Sequence, residues 1–347
     1  MVVQPKSWFF PIVFFVGFSL IFFWPAKKPF SPLLDFTPDL TEKIAVVVSP
    51  ALPLNFSGVA TLDSLGPIPH YLVFNLDNGK VYAAKAADER ISPASFTKLL
   101  TGQVALDLGF SDQLLTATTT SVDKVPTILG LRPGEQLKLT DLLRAAIATS
   151  ANDAAATLAE GVASQNGLRF SDFIYLMNQK ASLLKMTASH FANVDGLDDN
   201  DQYSTLTDIA KLVVNAVKNY PEIMTAAASD RQDIEKDSTH GRYYLPNWNG
   251  LLGIYPGVFG GKIAYTDSAG YSTIVMAQRN GVRLAALLTG AQSILERDLA
   301  AAALLDAGFI AEKIKPVNLT KYPLNLRYKT WGDLARFIRA EIAAGGQ

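Results

Sequence analysis

The chain has 347 residues, enough for a sizeable core, with 49% hydrophobic and 18% charged residues and a formal net charge of −1. That balance excludes a disordered chain and gives no electrostatic basis for nucleic-acid binding. There is no cysteine, which excludes disulfides, thiolate catalysis and cysteine-ligated metals, and the three histidines, His70, His190 and His240, lie far apart with no metal-ligand spacing.

In chain order, the first feature is the uncharged run from Trp8 to Trp24, WFFPIVFFVGFSLIFFW. At about 17 residues it is at the short end of what spans a bilayer. Its two tryptophans suit the interfaces, and Lys6, Lys27 and Lys28 flank it. It lacks a good small-x-small cleavage site, so it reads as an uncleaved signal-anchor over residues 1–28 rather than a cleaved signal or a buried helix. Charge does not set its orientation; the extracytoplasmic, membrane-anchored placement follows from the function argued below. Residues 29–68, rich in Pro and Ser, read as a stalk or wrapping segment, with Ile44 to Val48 able to form a strand.

The body runs over 69–310. YLVFNLDNGKVYAAK is two apolar runs around Asp77-Asn78-Gly79, a strong hairpin signal. Ser92 suits an N-cap and Pro93 the first helical position, and Phe96, Leu100, Val104 and Leu108 form a stripe, predicting a helix over 93–108 packed by one face. LTDLLRAAIATSANDAAATLAEGVA predicts two helices broken at Ser150-Ala151-Asn152, and residues 169–185 and 205–219 are also helical. GGKIAYT, YSTIVMAQRNG and VRLAALLTGA predict three strands, the last two joined at Arg279-Asn280-Gly281, and residues 293–307 a helix. Strands, helices, then strands predict an α+β fold: an antiparallel sheet built from both chain ends, flanked by helices, with an inserted all-helical region. In the tail, 311–347, Trp331, Leu334, Ile338 and Ile342 make a helical stripe that reads first as packing on the body and second as membrane-surface contact.

Ser95 and Lys98 are three apart at that helix start, about 5–6 Å at Cβ. A serine needs a base, and a desolvated lysine beside another positive charge can be neutral and serve as one. S-x-x-K alone is a weak signal. Here it is followed by Ser150-Ala151-Asn152 and Lys262-Ile263-Ala264, the order of a serine-acyltransferase set whose usual third element is K-T-G. Other motifs carry less. GVFGGKIAY lacks the hydroxyl residue and first glycine of a phosphate loop. His190 reads as structural, the Asp195, Asp198 and Asp199 cluster as a solvated turn shaped by Asn193 and Gly196 rather than a cation site, and Glu89 with Arg90 as a local surface pair.

The stretches AADERISPASFTKLLTGQVALD, LRPGEQLKLTDLLRAAIATSANDAAATLAE, HFANVDGLDD, NWNGLLGIYPGV and YTDSAGYSTIVMAQRNG carry a further signal. From about Tyr71 to Phe309 the chain resembles the low-molecular-weight penicillin-binding proteins of the D-alanyl-D-alanine carboxypeptidase type, peptidase family S11. The resemblance implies a penicillin-binding, serine β-lactamase-like fold, a peptidoglycan stem peptide as substrate, β-lactams as acylating inhibitors, and no metal or organic cofactor. It implies Ser95 as nucleophile, Lys98 as base, Ser150 as proton relay to the leaving amine, Asn152 as a contact to a substrate amide, and Lys262 as the charge that meets the terminal carboxylate and helps keep Lys98 neutral. The backbone N–H groups of Ser95 and Tyr265 would form the oxyanion hole. Ile263 and Ala264 depart from the pattern: isoleucine has no hydroxyl for the carboxylate, and alanine adds a methyl beside the cleft. Two other readings follow: a weakened muropeptide-binding protein, resting on that departure, and a class A-like β-lactamase, for which no deacylating glutamate is evident, Glu160 falling on a continuing helix.

Overall fold

The computed structural model describes residues 52–344; the Trp8–Trp24 run and the Ile44–Val48 stretch lie outside the described residues. In chain order the strands are β1 (His70–Asn75), β2 (Val81–Lys85), β3 (Leu114–Thr116), β4 (Gln136–Lys138), β5 (Arg231–Ile234), β6 (Tyr243–Pro246), β7 (Val258–Ala264), β8 (Tyr271–Arg279) and β9 (Val282–Ala291). The helices are α1 (Thr97–Leu108), α2 (Thr119–Val122), α3 (Leu139–Arg144), α4 (Asn152–Gln165), α5 (Phe170–Leu183), α6 (Leu206–Asn219), α7 (Pro221–Ala228), α8 (Ile294–Ala311) and α9 (Lys321–Ala343).

One antiparallel sheet has the order β2-β1-β9-β8-β7, so the two chain ends do meet in it, with β1 paired directly to β9. Both hairpin turns form as expected. Gly79 (φ +74°) returns its N–H to the Asn75 carbonyl, and Asn280-Gly281 (φ +48° and +82°) joins β8 to β9 with the left-handed pair that tight hairpins favour. β8 is buried on both faces because β7 and β9 flank it and helices cover it. On one face Val275, Ala277, Leu284, Ala286 and Leu288 pack against Ala301, Leu304, Leu305 and Phe309 of α8. Ser293 starts that helix by accepting the Glu296 N–H at 3.1 Å.

The all-helical insertion lies between β2 and β7. Its centre is α1, preceded by a single 3-10 turn over Ala94–Phe96. Two expectations for this helix change. Residues Thr97 to Ala105 are buried on every side, not along one face, because α4, α5, α6 and α7 surround them. Ser92 is not the cap: its hydroxyl donates to Asp198 Oδ1 at 2.7 Å. The break near Ser150 forms as a π-helical turn (Ala145–Thr149), a left-handed Ser150 (φ +67°) and a new helix from Asn152.

Two features complete the fold, of which the second, the β5–β6 hairpin, was not expected. Residues 55–60 run along β2, with Asn55 N donating to the Gly79 carbonyl at 2.9 Å and Val81 N to the Asn55 carbonyl at 2.9 Å, so this part of the 29–68 segment wraps the sheet edge. β5 and β6 form a separate hairpin on which α9 rests. Trp331 meets Trp248 edge-on at 5.4 Å, Phe337 meets Tyr244 at 5.9 Å, Leu324 is fully buried, and Tyr328 donates to Asp298 at 2.8 Å. The tail helix is thus packed on the body. No helix among the described residues is long and apolar enough to cross a membrane.

Candidate active site

Ser95 sits in the 3-10 turn, so its hydroxyl projects from the entry of α1 rather than from its flank. The residue before it, Ala94, has a left-handed backbone (φ +44°), a conformation that costs a non-glycine residue on the order of 1–3 kcal/mol. Gly196 explains how it is held. A Cβ there would run into the Ala94 carbonyl oxygen and come within 3.0 Å of Ser95 N, so only glycine lets the 195–197 turn press on the peptide that carries Ser95. Asn193 fixes that turn by accepting the Gly196 N–H at 2.8 Å. Asp198 latches the other side: it accepts from the Ser92 hydroxyl (2.7 Å), the Thr266 hydroxyl (2.8 Å) and Ser268 N (3.3 Å). The expected solvated turn is therefore a clamp between the approach to Ser95 and the loop after β7.

Lys98, one turn into α1, is fully buried. Its Nζ lies 3.0 Å from Ser95 Oγ and 2.7 Å from Asn152 Oδ1, and it donates to the Asp195 carbonyl. Burial pushes its pKa down to about 8, against the opposing pull of Asp195 and Asp153. A neutral amine has two N–H groups and one lone pair. Asn152 Oδ1 and the Asp195 carbonyl are acceptors that cannot donate back, so they take the two N–H groups and leave the lone pair facing the Ser95 hydroxyl.

Asn152 is fixed in turn. Its Nδ2 donates to the Val125 carbonyl at 2.8 Å and its backbone N to the Thr127 carbonyl at 2.7 Å. The loop carrying those carbonyls is pinned by buried Asp153, which accepts the N–H groups of Leu129, Gly130 and Leu131 at 2.8, 2.8 and 3.1 Å. Lys124 in the same loop faces Asp195 at 3.8 Å.

On the far wall, β7 brings Lys262 to the site. Its Nζ donates to Ser150 Oγ at 2.7 Å and to the Ile263 carbonyl at 2.9 Å. Lys262 is buried, and burial first, then Lys98 and Arg297, depress its pKa well below the ordinary lysine value. For both lysines burial is the largest cause of the lowered pKa, and the mutual repulsion of the two amines adds to it. Ile263 is half-buried opposite Thr273, and Ala264 is buried opposite Ser272. Tyr265 follows the end of β7 with its ring exposed and tilted against Tyr271 at 4.6 Å.

Of the six residues singled out in the sequence, Ser95, Lys98 and Asn152 are linked by hydrogen bonds, Ser150 and Lys262 by another, and β7, which Tyr265 follows, packs against the 3-10 turn that carries Ser95. The chain matches the D-alanyl-D-alanine carboxypeptidase family, peptidase S11, over residues 68–293. The chain belongs to that family. Among curated relatives, the D-alanyl-D-alanine carboxypeptidase DacF of Bacillus subtilis is 31% identical over 247 residues, covering 70% of this chain and 62% of its own. DacA of Escherichia coli is 31% identical over 264 residues, covering 72% and 63%. The match therefore spans under two thirds of those relatives' length. A D-alanyl-D-alanine carboxypeptidase structure from Mycobacterium tuberculosis superposes with a TM-score of 0.64 at 27% identity, over 74% of this chain and 96% of that one. A Streptomyces DD-transpeptidase gives 0.66 at 27%, over 70% and 97%. The α+β architecture is that of these carboxypeptidases.

The remaining expectations sort simply within this S11 fold. His190 is structural, its Nδ1 2.5 Å from the Asp201 carbonyl. Glu89 and Arg90 are not partners of each other: Glu89 faces His70 Nε2 at 3.6 Å and Arg90 lies over the Tyr203 ring at 4.0 Å. GVFGGKIAY is strand β7, not a phosphate loop. Glu160 is on α4 and accepts the Thr118 hydroxyl at 2.6 Å. Among the described residues no acidic, histidine or cysteine cluster could hold a metal.

Proposed function

We propose that this protein is a serine-type D-Ala-D-Ala carboxypeptidase that removes the terminal D-Ala of peptidoglycan stem peptides and is acylated by β-lactams. The observation that carries the reading is the buried, pKa-lowered Lys98 amine 3.0 Å from Ser95 Oγ. Ser95 Oγ attacks the carbonyl of the penultimate D-Ala while its proton passes to Lys98 Nζ. The N–H groups of Ser95 and Tyr265 receive the oxyanion; losing one such donor in other enzymes costs about 2.7–4 kcal/mol. As the C–N bond breaks, Ser150 gives its hydroxyl proton to the leaving amine and regains one from Lys98, leaving an acyl-enzyme on Ser95 and Lys98 neutral again. Water then adds to the ester carbonyl, gives a proton back through Lys98, and frees the serine.

Lys262 supplies the charge for the substrate carboxylate. Burial disfavours its charged form, and an arriving carboxylate opposes that by favouring the cation. Ile263 lacks the hydroxyl that K-T-G would offer that carboxylate, worth about 1.5–3 kcal/mol, or about 10- to 150-fold. The intact Ser95–Lys98 and Ser150–Lys262 contacts favour a weakened enzyme over a disabled binding protein. The lack of a glutamate placed for deacylation disfavours a β-lactamase. We also propose that residues 8–24 anchor the protein in the cell membrane with the body outside the cytoplasm, where the substrate is. Incubation with a peptide ending in D-Ala-D-Ala should release free D-Ala, and Ser95→Ala should release none; equal release by both proteins would refute the assignment.

A further inference from the structure

The tail helix adds a wall to the molecule beyond the family-matched residues. Between α9 and the body lies a groove of about 250 Å³, lined among others by Thr127, Thr149, Tyr244, Trp248, Ile338 and Arg339. Two of its lining residues are tied to site residues. Thr149 immediately precedes Ser150, and its hydroxyl donates to the Pro246 carbonyl at 3.1 Å. The Thr127 carbonyl holds Asn152 N. The 246–249 segment runs beside β7, since a side chain at Gly261 would meet Asn249 Nδ2 at 2.8 Å, one residue before Lys262. The groove's lining thus includes the chain neighbour of Ser150 and part of the segment beside the strand that carries Lys262.

The chemistry of its walls is specific. Tyr244, Trp248 and Ile338 present aromatic and aliphatic surface suited to methylene groups. Arg339 is the charged residue at its edge. The neighbouring tail arginines are occupied, Arg327 by Asp230 and Arg336 by Asp333, whereas Arg339 has no carboxylate partner among the described residues. α9 is held firmly enough to act as a wall: Tyr328 donates to Asp298, and Asp298 binds Arg297, which reaches the Trp248 carbonyl at 3.3 Å.

We propose that this groove is a subsite for leaving groups larger than alanine, taking a methylene chain that ends in a second carboxylate, with Arg339 as the residue that selects it. The proposal rests on the function above, which gives the Ser150–Lys262 pair to the leaving group. The bond broken and the proton path are unchanged; only the released amino acid is larger. A D-Ala-D-Xaa junction whose D-Xaa carries an acidic side chain is such a substrate.

The test uses three N-acylated peptides ending in D-Ala-D-Ala, D-Ala-D-norleucine and D-Ala-D-2-aminoadipate, the last two alike in length and differing in the carboxylate. The wild type should show a KM about 2- to 5-fold lower for the aminoadipate than for the norleucine peptide, the range of an exposed charge pair. Arg339→Ala should erase that difference and Arg339→Glu invert it, both leaving D-Ala-D-Ala hydrolysis and penicillin acylation unchanged. Ile338→Asp should raise KM for the norleucine peptide more than for D-Ala-D-Ala. A norleucine-to-aminoadipate ratio indifferent to Arg339 would overturn the subsite, as would equal losses on all three peptides. Failure of the wild type to cleave even D-Ala-D-Ala would instead overturn the function on which the subsite rests.

Discussion

Residue 98 shows how burial becomes reactivity. An exposed lysine is almost entirely protonated at neutral pH, and with a pKa of about 8 the Lys98 amine is neutral in about a tenth of molecules at pH 7. Because the neutral form is the base, acylation of Ser95 should rise with pH by about ten-fold between pH 7 and 9 and level off above. A stopped-flow pH profile of penicillin acylation checks this; a flat profile over that range would show that Lys98 is not the base. The same burial has a stability sign. The unfolded chain binds the Lys98 proton more tightly than the native one, so stability on this account increases as pH climbs from about 8 toward the ordinary lysine value. Gly196 offers a second test at this scale. Gly196→Ala should displace the Ala94–Ser95 peptide and cut acylation at least ten-fold while leaving secondary structure intact by circular dichroism. Wild-type acylation rates would mean that the turn does not hold the nucleophile. The six site residues were readable in the sequence because each pair or triplet is local: one helical turn, one helix break, one strand. Asp153, Asp195 and Gly196 were not, since what matters about them is which distant backbone atoms they meet.

At the scale of elements, the site is where three kinds of local irregularity converge: a 3-10 turn before α1, a π-turn and left-handed residue before α4, and the end of edge strand β7. The hairpins, the central strands and the long amphipathic helices were legible because their periodicities are strong. The β5–β6 hairpin was not, because RQDI is polar and short and the loop to YYLP carries no Asn-Gly signal. The all-round burial of α1 was not legible for a related reason: Lys98, Thr101 and Gln103 look like a solvent face, and tertiary contacts satisfy them, as when Thr101 donates to the Val194 carbonyl at 2.7 Å. On β7, Ile263 and Ala264 set the efficiency. The double substitution Ile263→Thr with Ala264→Gly should raise kcat/KM for D-Ala release about 10-fold or more, from a wild-type rate that is already above background. Release confined to the double variant would favour the disabled-cleft reading.

For the whole molecule, the two chain ends define the sheet, the insertion supplies the nucleophile and its base, and the tail helix closes over the β5–β6 hairpin. The α+β architecture followed from the order of strands, helices and strands, and the tail stripe predicted a helix packed on the body but not which surface receives it, because an amphipathic stripe does not name the surface that covers it. A wrapping segment was among the readings of 29–68, but the edge that residues 55–60 follow was not legible, since strand-edge pairing uses backbone groups and leaves little mark on side-chain pattern. What unites these parts is the claim that Ser95 is an activated nucleophile in a folded acyl-transfer site. Fluorescent penicillin labelling of the wild type beside Ser95→Ala tests it most directly. The account predicts a stable covalent adduct on the wild type, mapped to Ser95, and none on Ser95→Ala of equal thermal stability; a folded wild type that takes no label, or a Ser95→Ala protein that labels as well as the wild type, would contradict it.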